Sequence, residues 1–356
     1  MRAMQFILFV MLMKRYRRGI RGRHYLTRPS IPLVCHSAAT ILLEERDDRS
    51  FVNRMGVDVR LFDDLHEMLI QRFPDLCGRG GGRPKLLSTR MQLALTLQFL
   101  RSRNDQSAFC QIFGASPFTV SNTLSQVLPS LLRVLAREPD ARIQYPDHDE
   151  MGELADLVSA NHPDIPYGIF GFIDGLVLPI LNNGDPVIQN AYYNGYKGTT
   201  TITNIAVFAP DGTIIYASIN HPGNYHDSRA AGAIYRLVND VDFTPDPYKL
   251  LGDSAFPSVT QKIITLKKRN QFSADPNIRE DEKEMQSLLS SARQTVEWGM
   301  RVIQGTFQRL HVPLKSWDTR YNYVVIRLCL HLCNIRTRRM GMFNQILTVF
   351  SQHIDN

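Results

Sequence analysis

The sequence predicts an α/β protein, in which a mixed sheet flanked by helices follows a small all-helical region. Three patterns predict this class. The apolar run from Ile169 to Ile180 is typical of a buried strand. Two β-rich segments, Thr199 to Ala209 and Thr213 to Asn220, lie on either side of a Pro-Asp-Gly turn and predict a β-hairpin. Before residue 140, apolar residues recur at helical spacing instead.

The composition is that of an ordinary globular protein, because 44% of the residues are hydrophobic and 21% are charged. The formal net charge of +7 is concentrated at the N-terminus. Residues 1–30 contain eight basic residues and no acidic residue. This segment is predicted to be a disordered basic tail that contacts a polyanion or acts as a nuclear import signal, so the nucleus is the expected compartment.

The five cysteines are scattered and give no disulfide framework, which favours a reducing compartment. The apolar run from Phe6 to Met13 is too short to span a bilayer. Most of the basic residues near it follow the run, which is opposite to the order in a secretory signal. We therefore expect no membrane association.

Residues 31–140 are predicted to be a helical, helix-turn-helix-like DNA-binding region. The segment from Val57 to Phe73 has apolar residues four positions apart, as in an amphipathic helix. Residues 77–84, which follow it, form a glycine-rich basic linker. Residues 105–113 and 117–127 then read as two helices joined by a tight turn, with Gly114 in the turn and Ser116 as the cap.

The second of these two helices is predicted to have one apolar and one polar face. The face predicted to be buried contains Val120, Leu124 and Val127, and the exposed face contains Thr119, Ser121, Asn122 and Ser125. Residues 72–137 also carry nine basic and two acidic side chains. A helix-turn-helix that docks on DNA accounts for both features. A plain helical bundle accounts for the apolar pattern equally well, so both interpretations stay open.

A polar, proline-rich connector follows, with one short helix predicted from Met151 to Ala160. The domain boundary is expected within residues 140–165, and a second domain spans 165–340. Four acidic residues of that second domain are candidate site residues, namely Asp174, Asp227, Asp253 and Glu297.

Asp174 interrupts the apolar strand, where an ionised side chain is costly unless it is paired or binds a metal. Asp253 follows another apolar segment, and carboxylates at the carboxyl ends of neighbouring strands can converge. Carboxylate oxygens are the usual ligands of Mg²⁺ and Mn²⁺. Each acid could instead be solvated or cap a turn, and Glu297 lies four residues from both Arg293 and Arg301, as in an ordinary helical ion pair.

Other polar residues are weaker candidates. The pattern of Cys329, His331 and Cys333 is attributed to a core helix rather than to a metal site. His226 is expected to orient the loop beside Asp227 and Lys197 to be an exposed loop lysine, although the alternatives of a proton shuttle and a phosphate contact stay open. Asp211 is assigned to the hairpin turn.

Five short motifs occur in a fixed order. They are Phe172 to Gly175, Tyr193 to Gly198, Pro222 to Ser228, Leu251 to Pro257, and Val296-Glu297 through Leu314-Lys315. With them, the chain from about Leu87 to Leu332 resembles the PIF/Harbinger transposases and their domesticated nuclease relatives, in the DDE superfamily with a ribonuclease-H-like core.

The resemblance implies a ribonuclease-H-like DDE endonuclease domain with a metal site made from Asp174, Asp227, Asp253 and Glu297. Asp174, Asp253 and Glu297 would be the catalytic triad, and Mg²⁺ or Mn²⁺ the cofactor. One ion at Asp174 and Asp253 would activate water, and a second at Asp174 and Glu297 would stabilise the leaving oxygen. Asp227 would assist as a ligand.

The function implied is a metal-dependent DNA endonuclease of transposase type that hydrolyses phosphodiester bonds and could also transfer strands. Double-stranded DNA is the expected partner, and the resemblance also admits a Myb-like helper protein and a homo-oligomer. Phe256 stands where the family usually has Tyr, and the interval between Asp253 and Glu297 is long because 262–286 looks like an irregular insertion.

Two alternatives accompany this hypothesis. One is a domesticated, catalytically silent DNA-binding or scaffold protein with the same fold. The other is a ribonuclease-H-like nuclease that acts on RNA. The helix-turn-helix pattern favours duplex DNA over RNA as the substrate.

Overall fold

The computed structural model describes residues 6, 9–16, 26, 28–77, 85–256 and 261–341. The helices labelled here are, in chain order, α1 Ala38–Glu45, α2 Asp48–Met55, α3 Val59–Arg72, α4 Thr89–Arg101, α5 Gln106–Phe113, α6 Pro117–Leu135, α7 His148–Asn161, α8 Pro186–Tyr192, α9 Asp227–Ala230, α10 Gly232–Asn239, α11 Pro276–Thr306 and α12 Thr319–Met340. The strands are β1 Ile169–Pro179, β2 Tyr193–Asn194, β3 Thr199–Phe208, β4 Ile214–Pro222, β5 Lys249–Gly252 and β6 Ile263–Thr265.

The strands form a mixed sheet in the order β4-β3-β1-β5-β6, with the short β2 also paired to β3. β3 is antiparallel to both β1 and β4, whereas β1, β5 and β6 run parallel to one another. Since helices cover both faces of this sheet, the predicted α/β class is confirmed.

β1 lies in the middle of the sheet, and its successive residues pack into two different hydrophobic clusters, one on each face. Ile173 belongs to a cluster with Met151 of α7 and Ile234 of α10. Phe172 belongs to a larger cluster with Val296 of α11 and Ile326 of α12. A strand with apolar neighbours on both faces reads as a continuous apolar run, which is the pattern that predicted it.

α11 corrects the prediction that residues 262–286 are an irregular insertion. Ile263–Thr265 forms the parallel edge strand β6, and α11 begins at Pro276, well before the helix start predicted at Ser287. Asp275 caps the helix by accepting a hydrogen bond from the backbone N–H of Asn277 at 3.0 Å. Acidic and basic residues with high helix propensity then continue the helix, so a charged sequence was mistaken for an irregular one.

The helical region before residue 140 has the predicted local structure. α3 is capped by Asp58 and buries its leucines. Gly114 adopts a left-handed conformation with φ of 63°, and Ser116 caps α6 by accepting a hydrogen bond from the backbone N–H of Thr119. α5 and α6 are therefore two helices joined by a tight turn, while a helix-turn-helix that binds DNA stays a prediction.

The described part of this helical region packs directly against the second half of the chain. Residues of α3, α4 and α6 share one hydrophobic cluster with α11 and α12. Arg101 donates hydrogen bonds to the carbonyl oxygens of Gly305 at 2.9 Å and Thr306 at 2.7 Å. Thus the helices and the sheet share a continuous core, across the connector that contains α7.

Part of the N-terminal segment lies outside the described residues. Residues 9–16 are helical and Arg28–Ser30 is a short 3-10 helix. Most of the rest of the 1–30 segment, and 78–84 of the glycine-rich linker, are not among the described residues, so the predicted disorder and linker stay predictions. Within the part of the chain that is described, no helix is long and apolar enough to cross a membrane.

The cysteines and histidine of α12 lie in the core, as predicted. Cys329, His331 and Cys333 are all buried. His331 Nδ1 lies 2.8 Å from the carbonyl oxygen of Ala141, in the connector before α7. Burial lowers the pKa of His331 from its ordinary 6.5 to about 4.

The neutral state of His331 predicts a loss of stability in mild acid. Between pH 6.5 and 4 the unfolded chain binds a proton at this histidine and the folded chain does not. The free energy of unfolding should therefore fall by roughly 3 kcal/mol as the pH decreases through this range. His331→Gln, which cannot titrate, should show a shallower pH dependence in urea denaturation. Identical pH profiles for the parent and His331→Gln would contradict this prediction.

Candidate active site

Three of the four predicted acids lie close together, beside the middle of β1 and the carboxyl end of β5. Asp174 lies on β1 opposite Ala206 of β3. Its neighbour Ile173 is in register with Gly252, the last residue of β5, so Asp253 leaves the strand beside Asp174. The parallel pairing of two strands that are distant in sequence therefore brings the two aspartates together.

Asp227 reaches the same place from the start of α9. A Cβ atom added to Gly175 would lie 2.9 Å from Oδ1 of Asp227 and 3.0 Å from its Oδ2. A side chain at position 175 would force the Asp227 carboxylate to shift, so glycine leaves room for this approach. Gly175 therefore admits Asp227 to the site next to Asp174.

The charges of the three aspartates act on one another. Burial, with smaller contributions from the charges of Asp253 and Asp227, raises the pKa of Asp174 to about 6, although the Gly175 N–H and Arg293 oppose the rise. Burial, followed by the charge of Asp253, also raises the pKa of Asp227, which Lys197 and His226 counteract. Mutual repulsion of this kind is characteristic of carboxylates that gather around a cation.

Backbone groups fix one oxygen of two of the carboxylates. The N–H of Gly175 donates to Oδ1 of Asp174 at 2.8 Å. The N–H of Ser254 donates to Oδ1 of Asp253 at 2.6 Å. In Asp174 the other oxygen, Oδ2, is directed toward α11, because it lies near the guanidinium of Arg293.

Glu297 joins the site through Arg293, one turn earlier on α11. Arg293 Nη2 lies 2.6 Å from Glu297 Oε1, and Arg293 Nη1 lies 3.9 Å from Asp174 Oδ2. The Arg293 side chain is only 15% exposed. The guanidinium thus links two carboxylates of the predicted triad, and it supplies positive charge at the position where a bound cation is expected.

The close packing of α11 on the sheet sets the position of Glu297. Val296 is fully buried in the core. A Cβ atom added to Gly299 would lie 2.7 Å from the ring of Phe208 on β3, so a side chain at this position would push the helix away. Gly299 consequently allows α11 to approach β3, and Arg293 then connects Glu297 to Asp174 in the middle of β1.

The four carboxylates have the right chemistry to bind a hard divalent cation. Their oxygens are not arranged around a single point where such a cation could sit. Four carboxylates offer the oxygen ligands that Mg²⁺ and Mn²⁺ prefer. Among the described residues, however, no three His, Cys, Asp or Glu side chains are placed so that they could hold a metal ion. Arg293, which bridges Asp174 and Glu297, gives a physical reason for this arrangement.

The remaining candidates have the following positions. His226 and Lys197 are exposed beside Asp227. Asp211 lies in the β3–β4 turn, where its Oδ1 accepts a hydrogen bond from the N–H of Thr213 at 2.8 Å. The sequence indicated the Arg293–Glu297 pair by helical spacing, but it gave no signal for the contact between Arg293 and Asp174.

Comparison with known proteins relates the second half of the chain to a nuclease superfamily. Residues 173–334 match a family model described as DDE superfamily endonuclease, over a little under half of the chain. The match includes Asp174, Asp227, Asp253 and Glu297, and the mixed sheet with its flanking helices fits a DDE nuclease fold. The helix-turn-helix lies outside the matched residues. No curated protein and no solved structure matches the chain.

The raised pKa of Asp174 predicts that this side chain destabilises the metal-free fold. The folded carboxyl binds its proton more tightly than the unfolded one, whose ordinary pKa is 3.8. The stability contributed by the protonated form is present below pH 3.8 and is lost as the pH rises through about 6. Asp174→Asn should therefore raise the free energy of unfolding at pH 7.5 by about 1–3 kcal/mol.

Urea denaturation in a metal chelator at pH 7.5 and at pH 4 measures this difference, which should shrink at the lower pH. Asp281→Asn provides the control, since Asp281 is exposed on the same helix as Arg293. A destabilised Asp174→Asn variant at pH 7.5 would show that the carboxylate is held by favourable contacts and would refute this prediction.

Proposed function

We propose that this protein is a divalent-metal-dependent DNA endonuclease of transposase type, related to the PIF/Harbinger group, which hydrolyses DNA phosphodiester bonds. The observation that supports it best is the convergence of Asp174, Asp227 and Asp253 in a segment similar to DDE superfamily endonucleases. Strand transfer is a further reaction that the same carboxylates could support.

Asp174, Asp227, Asp253 and Glu297 would hold Mg²⁺ or Mn²⁺, with Asp174, Asp253 and Glu297 as the catalytic triad. When bound, such ions activate water and stabilise the leaving oxygen of a phosphodiester. The chain itself orients the carboxylates: the N–H of Gly175 holds Asp174, and Arg293 keeps Glu297 beside it.

The helix-turn-helix would supply duplex DNA binding. Ser121, Asn122 and Ser125 are exposed on α6, and Thr119 is partly exposed, so most of the predicted polar face is accessible. Ser121 is already engaged by Gln106, whose Nε2 lies 2.6 Å from its Oγ. Asn122 Oδ1 accepts only a longer hydrogen bond, from Gln126 Nε2 at 3.3 Å, and its amide can both donate and accept, so it is the stronger candidate for reading a base edge.

We also propose where the protein acts and which partners it binds. The basic tail over residues 1–30 would bind DNA phosphates or direct the protein to the nucleus. A Myb-like helper protein and a homo-oligomer are proposed partners, on the basis of the family resemblance alone.

A second candidate function is a catalytically silent DNA-binding or scaffold protein with the same fold. The Arg293 bridge favours it, because a guanidinium that satisfies Asp174 and Glu297 lets the fold tolerate these acids without a metal. Both candidates require DNA binding, and only the first requires turnover.

Replacing Asp253 separates the two candidates. Asp253→Asn keeps the side-chain volume and removes one charge, so the variant should fold as well as the parent. Nicking of supercoiled plasmid in Mg²⁺ or Mn²⁺ should fall by on the order of 10³-fold or more, as it does when one member of a catalytic group is removed. Glu284→Gln, at an exposed acid of α11, is the control and should nick at the parental rate.

A folded parent protein that nicks no duplex, and binds neither ion in calorimetry, would defeat the endonuclease proposal. The silent DNA-binding protein would then be the better account.

Replacing Asn122 tests whether α6 reads DNA bases. Asn122→Ala should lower discrimination between a preferred and a random duplex by about 1–3 kcal/mol, because a base contact is lost. The melting temperature should change little, since Asn122 is exposed. Asn239→Ala, an exposed asparagine at the end of α10, is the control. If footprints are unchanged while the melting temperature falls, α5 and α6 are a structural bundle.

A further inference from the structure

The turn between β2 and β3 holds Tyr196 out in the solvent. Tyr196 is 98% exposed. The turn itself is well built, because Oδ1 of Asn194 accepts hydrogen bonds from the N–H groups of Tyr196 and Lys197, both at 3.1 Å. Gly198 completes it with φ of 64° and an N–H bond to the carbonyl of Asn194 at 2.9 Å. The aromatic ring is therefore displayed by a defined backbone rather than by a loose loop.

This turn lies beside the candidate active site. The N–H of Asn224, three residues before Asp227, donates a hydrogen bond to the carbonyl oxygen of Ala191, which lies just before β2 and the turn, at 3.2 Å. The loop after β4 packs against the chain next to the turn: Gly223 fits so closely against the carbonyls of Tyr192 and Thr201 that a Cβ atom would lie 2.4 and 2.3 Å from them. The two loops thus form one edge of the site.

The second loop adds further aromatic and cationic groups to this edge. Tyr225 stacks on His221 with ring centroids 6.3 Å apart. The guanidinium of Arg229 lies 3.9 Å above the ring of Tyr225 and is exposed. We name Tyr196, Lys197, Tyr225 and Arg229 the aromatic–basic rim.

A rim of this composition fits a nucleic-acid strand. Phosphates approach a cluster of carboxylates only where cations offset the repulsion, and Lys197 and Arg229 supply two such cations. Exposed aromatic rings bind bases by stacking on their faces. In an intact duplex those faces are covered by neighbouring bases, so Tyr196 can stack only on a base that is unpaired.

We propose that Tyr196 stacks on an unpaired base of the DNA strand that enters the carboxylate site, while Lys197 and Arg229 contact the phosphates beside it. The inference rests on the proposed function, since it requires DNA at this site, and it adds a substrate class: DNA with a frayed or single-stranded end. Tyr196 is then a positioning residue.

The test measures binding to two probes in a metal chelator, so that cleavage is not needed. One probe is a duplex with a short single-stranded overhang that carries a fluorescent adenine analogue, and the other is the same duplex with blunt ends. The parent should quench the analogue. Tyr196→Ala should lose the quenching and bind the overhang probe about 10- to 100-fold more weakly, the range expected for one lost base–aromatic stack.

The controls separate stacking from general effects. Tyr196→Phe keeps the ring and should restore both quenching and affinity. Phe243→Ala removes a ring that is 52% exposed on another part of the surface and should change neither. The Tyr196 and Phe243 variants should bind the blunt duplex like the parent. Lys197→Gln and Arg229→Gln should each reduce the salt dependence of binding by about one counterion.

The inference is overturned if the parent does not quench the analogue, if Tyr196→Ala quenches like the parent, or if Tyr196→Ala weakens both probes equally. An unchanged salt dependence in both cation variants overturns the phosphate contacts. Plasmid nicking is scored separately: quenching that depends on Tyr196 in a protein that does not nick refutes the proposed endonuclease while this inference stands.

Discussion

The structure depends on one electrostatic constraint, which is a carboxylate placed in the central strand of the sheet. Asp174 lies between buried strands, and a charge in such a place needs a nearby cation. Arg293 supplies it from α11. Two glycines make the arrangement sterically possible, because Gly175 leaves room for Asp227 and Gly299 lets α11 approach β3. The convergence of the acids is therefore built into the backbone.

The same constraint connects the fold to the proposed chemistry. Repulsion among Asp174, Asp227 and Asp253 makes the site a place where positive charge is favourable, whether the charge is a guanidinium or a divalent ion. Arg293 stabilises the pair of Asp174 and Glu297 without a metal, and a bound ion would compete with it for both carboxylates. An active nuclease and a silent relative would thus differ in how readily Arg293 leaves Asp174 and Glu297 when an ion binds.

Local patterns in the sequence were sufficient for much of this fold. The apolar run around Asp174 predicted the central strand, and the Ser116 cap predicted the start of α6, because both signals lie within a few residues. The early start of α11 and the edge strand β6 were missed, since a charged segment was interpreted as irregular. The contacts of Arg293 with Asp174 and of Asp227 with Gly175 could not be predicted, because they join residues far apart in sequence and depend on how α11 and α9 pack on the sheet.

The central claim is that these carboxylates form one divalent-metal site. Electron paramagnetic resonance of Mn²⁺ tests it most directly, with the parent and Asp174→Asn titrated in the presence of a duplex. The account predicts a bound Mn²⁺ signal in the parent that is lost in the folded variant. No bound Mn²⁺ in the parent, or equal binding by both proteins, would contradict it.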